Sequence, residues 1–375
     1  MRVLIIGSNG FIGKNLQQHL SERSDIVVHS FTRDNSWMDL PKLLKNVDFI
    51  FHLAGVNRSH IPSDYMLGND VLTQRLCNAV SEISLSTGKK IPIIFSSSTQ
   101  VELDNVYGLS KKKAELHLLT LQKNYNIPIY IFRLPNVFGK WGKPNYNSVV
   151  ATFCNNITRD LPIEIKDPNT PINLVYIDDV INCFVQLMDK LDSNSDAVCY
   201  KTVTPQYATT IGKLASLLNK FREGRNTLIS ECVGSGLYRA LYSTYMSYVP
   251  VESFDYAVPQ YSDPRGVFVE MLKTNDCGQF SYFTSHPGVT RGGHYHHSKI
   301  EKFLMIKGRA LFRFKHVITG QTYQLESNGG FGHIVETVPG WTHDITNIGN
   351  EELICAIWAN EVFDRSKPDT FSCPI

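Results

Sequence analysis

Apolar residues in the first half of the chain come in short blocks separated by longer amphipathic stretches. Residues 3–6 form an unbroken apolar run ending at Gly7, and residues 11–20 then repeat apolar side chains at helical spacing. Residues 26–32, 47–53, 91–96 and 129–133 are further short, β-rich runs, and residues 107–125 carry a helical period. A strand covered on both faces reads as continuous apolarity, because neither side of it meets water. Such strands alternating with helices predict an α/β domain built on a parallel sheet.

The pattern changes near residue 251. Runs at 267–272, 279–284, 301–306, 310–314 and 353–358 are short, β-rich and separated by turns containing Gly, Asn and Pro. Closely spaced strands without intervening helices predict an all-β sandwich or barrel. The tyrosine-rich stretch 238–248 reads as a helical tether, which places the junction near Val249 and predicts domains at 1–248 and 249–375. A chain of 375 residues accommodates two domains.

Composition narrows the function classes. Charged residues are 19% of the chain and the net charge is +2, which argues against a protein built to neutralise nucleic-acid phosphates. No apolar stretch reaches the roughly 18 residues of a membrane span, and the first residues lack a signal-peptide pattern. The eight cysteines contain no C-x-x-C pair, so reduced thiols in a cytoplasmic protein are expected. Histidine is unevenly placed: seven of twelve lie between His286 and His343.

Gly7-Ser8-Asn9-Gly10-Phe11-Ile12-Gly13 follows the first strand and opens the first helix. Glycines there permit a tight turn and let backbone N–H groups approach a pyrophosphate at the positive end of the helix. After the second strand stands Thr32-Arg33 rather than a carboxylate, which suits the 2′-phosphate of NADPH; Asp34 next to it could serve a ribose instead. Tyr107 and Lys111 lie one helical turn apart. A phenol beside an ammonium and an oxidised nicotinamide is expected to have a lowered pKa and to exchange a proton with a carbonyl oxygen. Ser96-Ser97-Ser98 closes the preceding strand and offers a hydroxyl to that carbonyl.

Residues 1 to about 245 resemble an extended short-chain dehydrogenase/reductase of the nucleotide-sugar type. The likeness rests on the glycine loop, His52-Leu53-Ala54-Gly55, Asn69, Ser96–Ser98, Tyr107 with Lys111, Arg133-Leu134-Pro135-Asn136-Val137-Phe138-Gly139 and Tyr176-Ile177-Asp178-Asp179-Val180. It implies a Rossmann-like fold and a catalytic trio of Ser98, Tyr107 and Lys111, with Lys111 also on the nicotinamide ribose. The implied cofactor contacts are Gly7, Asn9, Gly10, Phe11, Ile12, Gly13, Arg33, Leu53, Ala54, Gly55 and Asn69. Implied contacts to the nucleotide-sugar are Ser98, Arg133, Asn136, Lys143 and Asn145. The segment from Ser98 to Tyr107 is shorter than in many sugar epimerases.

The late histidines follow a second pattern, G-x5-H-x-H-x4-E-x6-G from Gly288 through His294, His296 and Glu301 to Gly308. Side chains at i and i+2 of a strand share a face, so His294 and His296 project together, and a turn and return strand bring Glu301 opposite. Gly340, His343 and Asn347 add G-x2-H-x3-N. Three imidazoles and one carboxylate suit Zn²⁺, Fe²⁺, Mn²⁺ or Ni²⁺. These two motifs resemble those of the cupin superfamily, which implies a jelly-roll; the second departs in having Pro339 directly before Gly340. Residues 263–270 and 291–295 also resemble the deoxysugar 3,5-epimerases of rhamnose synthesis, which adds Arg291 as a substrate contact. Those enzymes use the histidine at the His294 position as base. Here it is a candidate ligand, so His297, Lys302 and Tyr295 are the candidate bases, His297 first.

Together the halves resemble the CapF-type bifunctional enzymes of capsular and O-antigen polysaccharide synthesis. The likeness includes residues 52–58, 138–149, 242–245 and 358–361. It implies C3 epimerisation of a UDP-4-keto-6-deoxy-N-acetylhexosamine in the cupin, then NADPH reduction at C4 in the other domain, by a homodimer. Zn²⁺ is favoured because that chemistry needs no redox metal. Two other readings compete: reduction alone with a structural cupin, which intact His294, His296, Glu301 and His343 oppose, and a sugar-binding scaffold, which intact Ser98, Tyr107 and Lys111 oppose.

Overall fold

The computed structural model describes residues 1–190 and 198–375, and also leaves aside the side chains of residues 198 and 199. The chain divides into two compact units. One is Met1–Leu218 with Ala240–Val249; the other is Asn219–Arg239 with Pro250–Ile375. The division differs from a single break near Val249 because residues 219–239 go with the second unit. Their short strand β10 (Ile229–Ser230) hydrogen-bonds to the edge of that unit's sheet at β12 (Gly266–Thr274).

The first unit is built on six parallel strands in the order β2-β1-β3-β4-β5-β8. These are β1 (Arg2–Ile6), β2 (Val27–Phe31), β3 (Phe49–His52), β4 (Ile93–Ser98), β5 (Ile129–Leu134) and β8 (Val198–Lys201). The order reverses between β1 and β3-β4, and a Rossmann-like sheet binds its ligand at the carboxyl ends of strands beside such a crossover. The unbroken apolar runs are explained by burial: every residue of β3 and β4 is buried, as are Leu4, Ile6, Ile50, Ile93, Ile129 and Ile131 in the core. Three smaller strands, β6 (Asn136–Phe138), β7 (Pro171–Tyr176) and β9 (Tyr207–Thr210), form a separate sheet. The helix Val106–Tyr125 begins at Asn105, whose side chain accepts from the Gly108 amide, and ends at Asn126 in the left-handed conformation.

The second unit is two antiparallel sheets, apart from the β10 pairing, as the strand spacing predicts. One carries β11 (Gln260–Asp263), β12, β13 (Gln279–Ser285), β20 (Leu353–Ala359), β15 (Glu301–Lys307) and β18 (Ile334–Glu336). The other runs β17 (Thr322–Asn328), β16 (Arg309–His316), β19 (Trp341–Asn347), β14 (Thr290–Tyr295), β21 (Phe371–Ser372). Phe283, Phe303, Met305, Phe312, Phe314, Ile345 and Leu353 fill the core. Among the described residues no helix is long and apolar enough to cross a membrane. The seven cysteines whose side chains are described are free.

Candidate active site and metal centre

The glycine loop is packed against backbone. A Cβ on Gly13 would lie 2.2 Å from the Gly7 carbonyl oxygen, and one on Gly7 would lie 2.6 Å from the Ala54 nitrogen. Gly7 sits at φ 89°, where a side chain is strained, and its N–H donates to the Phe31 carbonyl at 2.8 Å. Gly10 caps the helix Phe11–Ser21 with no side chain in the way. The amides of Phe11, Ile12 and Gly13 have no carbonyl a turn earlier to bond, so they face the loop as donors for an anion. Asn9 and Gly10 are exposed beside them. Arg33 is exposed and has no ion pair or hydrogen bond among the described residues, whereas the Asp34 carboxylate accepts from the Thr32 hydroxyl at 3.3 Å. That leaves the guanidinium available to a phosphate.

Leu53, Ala54 and Gly55 continue from β3 into the same area. Asn69 does not offer its amide to this space. It is 1% exposed, its Oδ1 accepts from the Val56 amide, and its Nδ2 donates to the Val56 carbonyl and Ser110 hydroxyl, each at 2.9 Å. It therefore ties down the loop that carries Ala54 and Gly55. A Cβ on Gly55 would meet Asn69 Oδ1 at 2.6 Å and Lys111 Nζ at 3.1 Å, so that glycine lets the backbone pass over the ammonium.

Tyr107, in the first turn of the helix Val106–Tyr125, stands close enough to Ser98 for the two hydroxyls to interact, and the Ser98 hydroxyl accepts from the Gln100 amide at 3.1 Å. Lys111 Nζ donates to the Ser96 carbonyl at 2.9 Å and lies 4.7 Å from the centre of the Phe95 ring. The structure thus brings Ser98, Tyr107 and Lys111 together. Their electrostatics depart from the expected lowered phenol: burial pushes Tyr107 up, which the neighbouring Ser98 hydroxyl only partly offsets. Burial brings Lys111 down to about 8, against the opposing pull of Glu115. A protonated phenol is the form that gives a proton to a carbonyl oxygen.

The residues expected on the sugar side divide. Asn145, at φ 54°, lines an open cavity of about 770 Å³ together with Arg58, Tyr146, Asn147 and Ser148. Lys143 stands over the Tyr146 ring at 5.3 Å. Asn136 is exposed and donates to the Asn173 carbonyl at 3.1 Å. Arg133 is engaged inside the unit, bidentate on Glu115 at 2.8 and 3.1 Å.

In the second unit, ligand atoms of His294, His296, Glu301 and His343 lie within 4.8 Å of one another. His294 faces His343 across the β14–β19 ladder, after an irregularity at Gly292 that re-aims it. His296 follows just past the end of β14, and Glu301 opens β15 in the opposite sheet rather than on a hairpin partner. His296 Nδ1 is 2.5 Å from the Asp369 carbonyl, which can only accept, so that nitrogen carries the hydrogen. Its Nε2 then turns a lone pair toward the Glu301 carboxylate 3.4 Å away. Two acceptors at that distance call for a cation or a second proton between them, and three imidazoles with one carboxylate are a fitting donor set for a divalent ion. Burial and the neighbouring imidazoles bring His294 down to about 4. Burial alone would raise Glu301, but its neighbours His296 and His343 and the Lys299 charge hold it well below the carboxylate range.

His297 is not brought to this cluster. Its ring is exposed and stands edge-on to Phe371 at 4.7 Å and Tyr295 at 5.4 Å. Lys302 pairs with Glu336 at 2.5 Å on the surface. Beside Glu301 lies instead a cavity of about 120 Å³ lined by Glu270, Gln279, Ser281, Lys299 and Glu361. Glu270 and Glu361 fall in the stretches 263–270 and 358–361 that carry the resemblances, whereas Gln279, Ser281 and Lys299 have no motif to announce them. Arg291 donates through Nε to the Thr284 carbonyl at 3.1 Å, while its buried Nη2 has no hydrogen-bond partner.

A Gly-rich loop on a parallel sheet, with a serine at a strand end and a tyrosine and lysine one turn apart on the helix that follows, defines a nucleotide-binding oxidoreductase-type fold. The chain belongs to the NAD dependent epimerase/dehydratase family, whose model matches residues 3–199. Residues 261–371 match the polysaccharide biosynthesis C-terminal domain. The UDP-2-acetamido-2,6-beta-L-arabino-hexul-4-ose reductase of Pseudomonas aeruginosa is 57% identical over 375 residues, covering 100% of this chain and 99% of that one. The crystal structure of the capsular polysaccharide assembling protein CapF from Staphylococcus aureus is 36% identical, with a TM-score of 0.91 and full coverage of both chains. The UDP-glucuronic acid 4-epimerase of Bacillus cereus, 21% identical with a TM-score of 0.54 over 66% of this chain and 98% of that one, shares the fold. The likeness to CapF-type proteins and the two-part fold read from the sequence are thereby borne out.

Proposed function

We propose that the chain is a bifunctional nucleotide-sugar enzyme. It would epimerise C3 of UDP-2-acetamido-2,6-dideoxy-L-arabino-4-hexulose in the second unit. It would then reduce the C4 ketone in the first, giving UDP-2-acetamido-2,6-dideoxy-L-talose, a precursor of UDP-N-acetyl-L-fucosamine. The substrate comes from the name of the Pseudomonas relative. The order follows from chemistry: a 4-keto group acidifies the hydrogen at C3, and reduction removes that group and fixes the inversion.

The observation that carries the reductase reading is the convergence of buried Ser98 and Lys111 with half-buried Tyr107, Tyr107 and Lys111 one turn apart on the helix that follows Ser98. Gly7, Gly10, Gly13, Leu53, Ala54 and Gly55 would hold NADPH, Arg33 its 2′-phosphate, and the bound cofactor supplies hydride to C4. Tyr107 gives its proton to the C4 oxygen, Ser98 orients that oxygen, and the Lys111 ammonium stabilises the phenolate left behind.

The epimerase reading rests on the four convergent ligands. A divalent cation there, Zn²⁺ in this proposal, supplies Lewis acidity to a carbonyl oxygen. His294, His296, Glu301 and His343 hold it, and the Asp369 carbonyl orients His296. The groups around the cavity beside Glu301 are better placed than His297 to move the C3 proton. The enzyme is proposed to work in the cytoplasm as a homodimer. NADPH oxidation with the keto-sugar tests the reductase half, expected in wild type and lost in Tyr107→Phe; wild type without turnover would refute it.

A further inference from the structure

Tyr107, Lys111 and Glu115 follow one another at one-turn spacing along the helix Val106–Tyr125. The third member has no part in the mechanism above, yet it is the more elaborately held. Glu115 is 2% exposed and receives donors from three strands. Ser97 of β4 donates to Oε1 at 2.5 Å. Arg133, the ladder neighbour of Ser97 on β5, donates through Nε to Oε1 at 3.1 Å and through Nη2 to Oε2 at 2.8 Å. The Tyr200 hydroxyl of β8 reaches Oε2 at 3.4 Å, and the Arg133 guanidinium covers the Tyr200 ring at 4.7 Å. The remaining Arg133 nitrogen meets Glu102 at 3.2 Å. Four donor groups converge on one buried carboxylate and fix its position.

Two consequences reach the catalytic trio. The grip on Ser97 fixes β4 between Ser96, whose carbonyl holds Lys111, and Ser98, which stands beside Tyr107. The fixed negative charge also sits one turn from a buried ammonium. The other groups facing Lys111 are the Ser96 carbonyl, the Phe95 ring, the Gly55 backbone with Asn69 beyond it, and His52, which burial keeps neutral, down at about 3. Among the described residues, Glu115 is the carboxylate that favours the charged form of Lys111.

We infer that Glu115, clamped by Ser97, Arg133 and Tyr200, is a positioning residue for reduction: it keeps Lys111 charged in a buried site and holds the strand that carries Ser98. Arg133 serves the clamp rather than the sugar. The inference rests on the reading of this unit as a keto-sugar reductase.

The sign of the effect is determined. Lys111 must be charged, so kcat falls as pH rises through its pKa. Removing the Glu115 charge lowers that pKa and moves the alkaline limb to lower pH by about one unit. The experiment measures NADPH oxidation with the UDP-4-keto-sugar from neutral to alkaline pH in wild type, Glu115→Gln and the double variant Glu115→Gln/Arg133→Gln. The double variant leaves no unpaired buried charge and protects against a folding failure of the single one. Both variants are expected to show the shifted limb, with KM for the sugar and the NADPH Kd from fluorescence titration within about twofold of wild type. Folded variants with an unmoved limb would overturn the inference, whether kcat is unchanged or uniformly lower. Loss of folding in both would also overturn it, by making the cluster structural. A wild type without turnover removes the reductase reading itself, and wild-type turnover separates the two failures.

Discussion

Single side chains divide the work by environment. Burial pushes the Tyr107 phenol up, which suits a proton donor, and the Ser98 hydroxyl beside it offsets this only in part. Tyr107→Phe is expected to lower kcat for reduction by about 10²–10⁴-fold with little effect on NADPH affinity, measured by stopped-flow and fluorescence titration. Arg33 is expected to face the 2′-phosphate. Arg33→Ala should weaken NADPH about 10–100-fold while leaving NADH within a few-fold, because one charge-assisted contact is lost from one cofactor only. Tyr107 with Lys111, and His294 with His296, were legible because spacing along one stretch decides which face they share; Glu301 and His343, on other strands, were legible only through the motif pattern. The exposed ring of His297 was not, because it lies past the end of β14, where no strand period applies. Glu115 and the true partners of Arg133 and Asn69 were not, because those partners arrive from other strands or loops at long sequence separation.

Elements matter where backbone is brought close to backbone. The turn after β1 works only with glycine, since a Cβ on Gly13 would press 2.2 Å from the Gly7 oxygen and 2.8 Å from the Ser8 Cα. Gly13→Ala should displace the first helical turn and raise the NADPH Kd at least about tenfold, with metal content by emission spectroscopy unchanged. The second unit has a counterpart in its C-terminal segment. The strand β21 pairs with His294 and Tyr295, and the Asp369 side chain accepts from the amides of His297, Ser298 and Lys299 at 2.7–2.9 Å. Asp369→Ala should loosen the segment on which His296 sits and weaken metal binding about 10–100-fold in a chelator competition, although no ligand is altered. A two-residue strand has no period to read, which is why the sequence did not reveal this support. The long runs of β1, β3 and β4 were readable because both faces of each are buried.

On the proposed reading, the molecule as a whole joins two chemistries that depend on each other through the substrate. The α/β and all-β halves could be read from periodicity alone, and the comparisons agree with them. The grouping of residues 219–239 with the second unit could not, because it depends on β10 joining a distant sheet edge. The central claim is that C3 inversion occurs in the second unit before reduction. Its most direct test is deuterium incorporation at C3 of the UDP-4-keto-sugar in D₂O, without NADPH, followed by mass spectrometry. The metal-loaded wild type and Tyr107→Phe are expected to incorporate deuterium, and the chelator-treated enzyme and His296→Ala are not. Metal-loaded wild type that oxidises NADPH with this sugar yet takes up no deuterium at C3 would contradict the account.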